Sequence, residues 1–431
     1  MRRMAFILLL FAGLPTVQSE AVEVWRDQEK VAPTDRAFQR YLTVYNLPTD
    51  GNRRREARTV SRWWVNSLSM RSRIGRPVDV AGNLIRVDLR DYGWSADAWE
   101  KLAAQDHYVN EYSVSADVLN AIRYYSGSAN PMLRADFFMA KTCVEPTYSQ
   151  FLGLPATLKE LFAVLGVQED QVKRLGLNVG AARMESIVTL HNRQMERYPT
   201  ITGYFWLTRD TKTNVGDQAV LDNLFGVRFD AGEYLFSLPN GLQGGYLANG
   251  KGEQQAAAPP DIAIDSQTSF QDKQVLNYRN CIGCHEKGIR DVEDVVSKLV
   301  RGRKLALEVY EKDKQIQLEQ FYLTPLAETI GADQAKYAVA VNQSCGLTPQ
   351  EASRFFLRVV HDYQEPLVDA PRAARELGVH PDKLPEVTDY AAKAYKAQSV
   401  SLLAIPAGEG VPVDQWEQLF GFAAAAAKVV K

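Results

Sequence analysis

The order of apolar and polar positions predicts both helices and strands in the first part of this chain. The segments Arg53 to Leu68 and Leu158 to Leu165 have the apolar spacing of helices. Leu84 to Leu89 alternates apolar and polar residues, as a half-buried strand does. Ser95 then provides an N-cap for a helix that we expect to end near Ala104.

The middle of the chain, from about residue 129 to residue 265, changes from helical signals to strand signals. A helix is expected over Arg134 to Lys141. If Met184 to Met195 is helical, one of its faces is formed by Met184, Ile187, Val188, His191 and Met195. Short apolar or aromatic runs predict strands at Val227 to Phe229, Glu233 to Ser237 and Gly245 to Ala248. Asn-Gly pairs that begin at positions 240 and 249 suit hairpin turns.

After about residue 266 the pattern is helical. Asp291 is predicted to cap one helix, and the pairs Thr348 with Glu351 and Asp414 with Glu417 have the spacing of capping boxes. The elements together predict an α+β fold, with mixed N-terminal and middle regions that contain β-hairpins and a helical final third. We expect boundaries at 1–19, 20–128, 129–265 and 266–431.

The first nineteen residues have the pattern of a secretory signal peptide. Arg2 and Arg3 form a basic start, Ala5 to Leu14 form a short apolar stretch, and small residues up to Ser19 offer a cleavage site. The apolar stretch is shorter than the roughly 20 residues that span a bilayer. We therefore expect an exported protein, periplasmic or extracellular, with no transmembrane segment in the mature chain.

Composition narrows the function classes further. The 431 residues carry a net charge of −2, without the basic excess of a nucleic-acid-binding protein. There are four cysteines, too few for a disulfide-dense scaffold in a chain of this length. Cys143 and Cys345 stand apart from the other two. Either a disulfide between them or two separate buried thiols is compatible with the sequence.

The segment Cys281-Ile282-Gly283-Cys284-His285 matches the attachment motif of a c-type haem. Two cysteines at this spacing form thioethers with the two haem vinyl groups, and His285 then binds the iron as the proximal ligand. The sequence thus predicts one covalent haem c and a cytochrome c-like, haem-binding region at 266–431. Three alternatives remain: a zinc site, a thioredoxin-like redox pair and a chance match.

The second axial ligand of the iron is not identified by the sequence. No methionine follows Met195. Met195 and His191 are the two candidates, because both would point inward if Met184 to Met195 is helical. We expect His361 to be solvated and His380 to lie in a loop, and we rank His107 below Met195 and His191. An open, five-coordinate iron is a further alternative. Three cations flank the motif and would either pair with haem propionates or face solvent: Arg279, Lys287 and Arg290.

Several longer strings resemble a family of exported bacterial proteins with a single c-type haem motif, found in planctomycetes and proteobacteria. These strings are Arg86 to Trp94 with Trp99-Glu100, Arg134 to Phe138, Phe236 to Gly244, Cys281 to His285 and Asp414 to Glu417. The resemblance implies one functional assembly around the haem and supports the roles of Cys281, Cys284 and His285. It implies no catalytic residue. We interpret Asp88 to Trp94 and Ser237 to Gly244 as structural.

These observations favour an electron-transfer protein in which the haem iron cycles between ferrous and ferric states and exchanges electrons with a redox partner protein. Two alternatives stay open. One is a haem enzyme of peroxidase or oxidoreductase type, which needs an open distal position and a distal acid or base. The other is a haem-based sensor or binding protein.

Overall fold

The computed structural model describes residues 17–48, 52–109, 113–183, 185–186, 188–189, 191–270, 272–364 and 367–430. Arg2, Arg3 and the stretch Ala5 to Leu14, on which the signal-peptide prediction depends, lie outside the described residues. The predicted cleavage position after Ser19 falls within the first described helix, and Val17 at its start is buried.

The described residues form an α+β fold, as predicted. The helices are α1 (Val17–Lys30), α2 (Arg53–Ser67), α3 (Leu89–Tyr92), α4 (Ala96–Ala103), α5 (Ala116–Ser126), α6 (Ala135–Thr142), α7 (Thr147–Leu152), α8 (Leu158–Leu165), α9 (Glu169–Arg174), α10 (Arg279–Cys284), α11 (Val295–Arg301), α12 (Lys312–Tyr322), α13 (Leu326–Cys345), α14 (Pro349–Gln364), α15 (Ala370–Leu377), α16 (Leu384–Tyr395) and α17 (Val413–Val429). The strands are β1 (Gln39–Thr43), β2 (Val78–Ala81), β3 (Leu84–Asp88), β4 (Met132–Arg134), β5 (Val179–Arg183), β6 (Arg193–Thr200), β7 (Gly203–Asp210), β8 (Ala231–Ser237) and β9 (Gln243–Asn249).

The strands form two sheets. The first has the order β2-β3-β1-β4, in which β1 pairs with β3 antiparallel and with β4 parallel. Because β4 follows residue 129, this sheet contains strands from both sides of the boundary expected at 128/129. The second sheet is an antiparallel meander of β5 to β9. Its β8–β9 hairpin turns at Asn240-Gly241, as predicted.

In the middle region the structure rules out one conditional helix and one predicted strand. Met184 and Ile187 of that helix lie outside the described residues. Met195 does not lie on a helix, because Arg193–Thr200 is a strand paired on both sides, with β5 and with β7. The apolar residues near Met195 fit the period of a helix as well. Pairing with the neighbouring strands selects the strand. Val227 to Phe229 is irregular and precedes β8. The strand β7 was not predicted, although it is buried at most positions.

Two predicted helix caps are also wrong. Asp294, not Asp291, caps α11, since its side chain accepts a hydrogen bond from the backbone N–H of Ser297. Glu417 does not complete a capping box at α17, because its carboxylate turns toward Arg134 and Tyr363. The caps at Ser95 and at Thr348 with Glu351 are confirmed.

The helical final third packs directly on the N-terminal half. Phe356 of α14 contacts Trp63 and Trp64 of α2, with ring centroids 5.6 and 4.3 Å apart. The Ser353 hydroxyl of the same helix donates a hydrogen bond of 2.9 Å to the carbonyl of Ile282 in α10. One continuous apolar core therefore includes the segment that carries the Cys-x-x-Cys-His motif. Within the described ranges, no helix has the length and apolar character needed to cross a membrane.

Candidate haem-attachment site

The attachment motif begins in a strained and tightly held turn. Tyr278, the residue before α10, has φ 68°, a left-handed conformation that bulky residues rarely adopt. Its ring stacks on Tyr148 at 4.5 Å and on Trp64 at 6.0 Å, and its hydroxyl donates to the carbonyl of Gln243. These contacts hold the strained residue in place. They fix where α10, with Cys281 and Cys284, leaves the core.

His285 ends α10 in an orientation suited to a metal ligand. Its Nδ1 lies 3.2 Å from the carbonyl oxygen of Gly288, which is a hydrogen bond if Nδ1 carries the proton. A backbone carbonyl on one ring nitrogen leaves the lone pair of the other available for a metal. Gly288 has φ 94°, a conformation that favours glycine, so this carbonyl depends on the residue type there. The other ring nitrogen, Nε2, points toward Glu233, with 3.6 Å between Nε2 and Oε1.

Both thiols and His285 border one cavity beneath the second sheet. The far wall of this cavity is a row of side chains from three adjacent strands: Met195 on β6, Thr208 on β7 and Glu233 on β8. The strand register confirms the row, because Met195 pairs with Thr208 and Thr208 pairs with Glu233. The cavity's other polar lining residues are Ser186, Asp265, Asn280, Asp291 and the arginines 183, 193 and 290.

Charge in the cavity centres on Glu233. Its carboxylate accepts a hydrogen bond from the Cys281 thiol, and Arg193 Nη1 lies 3.9 Å from Oε2. Arg193 is itself held by Asp210 through two hydrogen bonds of 2.6 and 2.8 Å. Burial alone would raise the pKa of Glu233, but the hydrogen bond and charge of His285 and the charge of Arg193 outweigh it and lower this pKa to about 2. Glu233 is therefore an ionised, buried acid.

The thiols are unlike those of a reactive cysteine pair. Burial and the charge of Glu233 raise the pKa of Cys284 to about 12, and the same two causes raise the pKa of Cys281 well above its usual value. Redox-active Cys-x-x-Cys pairs have the opposite shift, toward a stable thiolate. Cys143 and Cys345 are separate free thiols that contact the carbonyls of Ala140 and Val341 in their own helices.

The predicted distal ligands lie in different parts of the structure. Met195 borders the cavity, whereas His191, His361, His380 and His107 are not among its described lining residues. His361 packs beside Phe270 with ring centroids 5.8 Å apart, and His380 is largely exposed at a helix start. Met195 is thus the one sequence candidate for the distal ligand that the fold brings to the motif.

The three cations that flank the motif have different surroundings. Arg290 borders the cavity, but Arg279 is buried over the ring of Phe270 at 4.2 Å and Lys287 is exposed away from the lining. Glu233 and Arg193 were not predicted. The one available signal was an acidic residue inside the otherwise apolar strand Ala231–Ser237, and nothing nearby in the sequence links it to His285.

The donor set fits a covalently attached haem, and the present cavity volume does not. Two thiols and the Nε2 side of one histidine border the same space, which is what the attachment chemistry needs. The cavity encloses about 80 Å³, far below the roughly 300–1,000 Å³ of typical ligand pockets. A haem would therefore require the lining to move apart. Among the described residues, no three His, Cys, Asp or Glu side chains are grouped to hold a metal ion by themselves.

No family model, curated protein or solved structure shows significant similarity to this chain.

Proposed function

We propose that this chain is an exported c-type haem protein with one haem bound covalently through Cys281 and Cys284 and ligated by His285. The observation that carries the proposal is the arrangement of His285, whose Nδ1 contacts the Gly288 carbonyl while Nε2 faces the cavity that both thiols border. A chance Cys-x-x-Cys-His sequence has no reason to place its three side chains around one cavity or to prepare the imidazole for a metal.

Electron transfer is the leading function. The bound haem would supply one-electron chemistry, and the chain would supply burial, charge and access, which set the reduction potential. The core around the motif suits this role: Tyr278, Tyr148 and Trp64 shield α10 from solvent on one side. A redox partner protein would then dock on the outer surface near Gly283 and Arg290, which are exposed.

A haem enzyme is the second candidate, and one observation favours it. The cavity contains an ionised carboxylate and a guanidinium, Glu233 and Arg193, which are the groups that acid–base chemistry on a small iron ligand requires. An electron carrier needs two strong axial ligands and has no use for this pair. The two candidates therefore differ in what lies opposite His285.

The test is an optical spectrum of the protein produced together with a haem-attachment system. A haemochrome measurement after denaturation establishes covalent attachment, with Cys281→Ala and Cys284→Ala as controls. Oxidised, reduced and carbon-monoxide-treated samples then give the spin state and the access to iron. A low-spin spectrum without a carbon monoxide response supports electron transfer, and a high-spin spectrum with such a response supports the enzyme. Absence of covalent haem would refute the proposal.

A further inference from the structure

A second cavity, lined by residues of β1, α3, α4 and α5, lies beside the first sheet. Its volume of about 380 Å³ falls within the roughly 300–1,000 Å³ of typical ligand pockets. We propose that this cavity binds a small organic acid, with one carboxylate against Arg40 and Arg71 and an apolar or aromatic body against Phe38 and Trp94. The inference does not depend on the proposed haem, because the two cavities have no lining residue in common.

Arg40 on β1 is a buried cation whose charge is poorly balanced. Its side chain is 1% exposed, and Glu100, at 3.4 Å and one-third exposed, is the one acid that pairs with it among the described residues. Nη1 donates to the carbonyls of Ala37 and Gln39, but Nε is buried with no hydrogen-bond partner in the described part of the chain. Burial lowers the pKa of Arg40 more than the charge of Glu100 raises it. An anion in the bordering cavity would stabilise this guanidinium.

Arg71, in the loop after α2, supplies a second cation that the fold does not use. Its side chain is exposed and borders the cavity, and its guanidinium forms no ion pair or hydrogen bond with another described residue. A Cβ at Gly93, where φ is 74°, would lie 3.1 Å from Nε of Arg71, so glycine lets the guanidinium lie against the backbone there. Arg71 is therefore available to an anion that enters the cavity from solvent.

Arg90, the third arginine of the lining, is already satisfied, and this limits the charge of the ligand. Its guanidinium donates to both oxygens of Asp88 and to Asp35. The three arginines thus have three neighbouring carboxylates, two beside Arg90 and one beside Arg40. A dianion would add two negative charges to this balanced group, whereas a carboxylate adds one, next to the arginine that has no acid beside it, Arg71. The charges therefore favour a monoanion.

The remaining lining includes two aromatic side chains that suit an apolar ligand body. Phe38 is partly exposed, and the guanidinium of Arg90 lies 4.3 Å from the centre of its ring. Trp94 is buried, and its indole N–H donates to the carbonyl of Leu68, so its ring offers the cavity only apolar surface. The string Asp88 to Trp94 would then form a wall of a ligand site as well as a turn. Aromatic surface next to cations is the pattern expected for an amphipathic acid.

The start of α4 adds a weaker preference for an anion. Ala96, its first residue, borders the cavity, and the Ser95 hydroxyl accepts from the N–H of Ala98. A helix start leaves further backbone N–H groups without helical partners and carries a partial positive charge. Both effects act beside the cavity and reinforce the two arginines, which carry the inference.

The experiment is a calorimetric titration of the purified full chain with three aromatic carboxylates: benzoate, phenylacetate and indoleacetate. We expect at least one of them to bind saturably at one site per chain, and its uncharged amide to bind at least about tenfold more weakly, because the ion pair is lost. Inorganic phosphate should bind more weakly than this acid. No binding of any of the three acids up to about 10 mM, equal binding of acid and amide, or tighter binding of phosphate would overturn the proposal.

Arg71→Ala and Arg73→Ala form a matched pair of variants. Both remove one exposed arginine from the same loop, but Arg73 is not among the described lining residues of the cavity. Arg71→Ala should weaken binding of the acid at least about tenfold, and Arg73→Ala should stay within about twofold of the wild type. An equal loss in both variants would show a general effect of surface charge and would contradict the proposed site.

Two further variants test the buried cation and the aromatic wall. Arg40→Lys keeps the charge but has neither Nε nor the planar fork, so it should weaken binding of the acid about tenfold. If Arg40→Lys does not fold, Phe38→Ala at the partly exposed rim replaces it and should weaken the aromatic acid by a similar factor. Wild-type affinity in the folded variant would contradict the assigned contacts. Haem content should be the same in all these variants, so a failure here leaves the proposed function untouched.

Discussion

Two buried ionic clusters of this protein contain the same kinds of groups and differ in what surrounds them. Around Arg134, the carboxylates of Asp106, Glu376 and Glu417 lie 3.0, 3.5 and 3.4 Å from the guanidinium nitrogens. Around Glu233, the partners are His285, Arg193 and the thiol of Cys281. The first cluster joins β4 to α15 and α17, and the second faces a cavity.

The two clusters differ in whether a cavity lies beside the charged groups. Around Arg134 the acids have further partners, since Glu376 accepts from Trp416 at 2.6 Å and Arg372 at 2.9 Å. The gap beside this cluster has a volume of about 0 Å³, so nothing can enter it. Glu233, His285 and both thiols, in contrast, border a cavity of about 80 Å³. Buried charge thus marks a structural link where the charged groups bind one another and leave no space beside them, and a candidate site where reactive atoms border a cavity.

The largest effect is expected from removing both attachment thiols. The variant with Cys281→Ala and Cys284→Ala should retain no covalent haem after denaturation, because both thioether bonds are lost. Haem staining of denatured protein measures this directly. Cys143→Ala, at a buried thiol elsewhere in the core, is the control and should retain full haem content. Covalent haem in the double variant would contradict the predicted attachment.

The next effect is expected at the closed cluster. Arg134→Met leaves three buried or nearly buried carboxylates without their shared partner, and we expect the free energy of unfolding to fall by about 3–5 kcal/mol. Urea unfolding monitored by circular dichroism measures it. Lys393→Ala removes an exposed ion pair with Asp389 and should change stability by less than about 0.5 kcal/mol. Equal effects of the two variants would show that the cluster around Arg134 is not a structural link.

A smaller effect is expected at Gly288, beside the cavity. Gly288→Ala forces a side chain into φ 94° within 3.3 Å of Tyr337, at a cost of about 1–2 kcal/mol. It should also displace the carbonyl that orients His285, so the haem-loaded variant should show a changed spectrum. Gly127→Ala, at φ 62° with no atom near the added carbon, is the control for backbone strain alone. A haem spectrum unchanged by Gly288→Ala would argue against this carbonyl as the orienting group.

The smallest effect is expected at Asp294, a half-buried acid that satisfies backbone groups of Ser297 and Ala182. Burial raises the pKa of Asp294 to about 6. The folded protein therefore binds a proton that the unfolded chain has released between about pH 4 and 6, and stability falls as pH rises through this window. Asp294→Asn should remove this dependence.

Urea unfolding at several pH values measures the Asp294 effect. The stability of Asp294→Asn relative to the wild type should rise by about 1 kcal/mol between pH 4 and 7, less than the full pKa shift implies because solvent screens a half-buried group. A constant difference between the two proteins, or a difference of opposite sign, would contradict the prediction.

Local sequence determined the features whose partners are close along the chain. The helix α8, the cap at Ser95, the β8–β9 hairpin and the Cys-x-x-Cys-His spacing each depend on a few consecutive residues, and each was predictable. The α+β fold followed from the same short-range signals.

Tertiary structure decided the features that depend on distant partners. Residues Arg193–Met195 fit both a helix and a strand, and their pairing with β5 and β7 selected the strand. That choice placed Met195 and Glu233 in one row, with Glu233 opposite His285. The candidate attachment residues Cys281, Cys284 and His285 are predictable because their spacing along the chain is the signal itself. Their acidic neighbour is not, because strand register and the packing of α10 against the sheet bring it there.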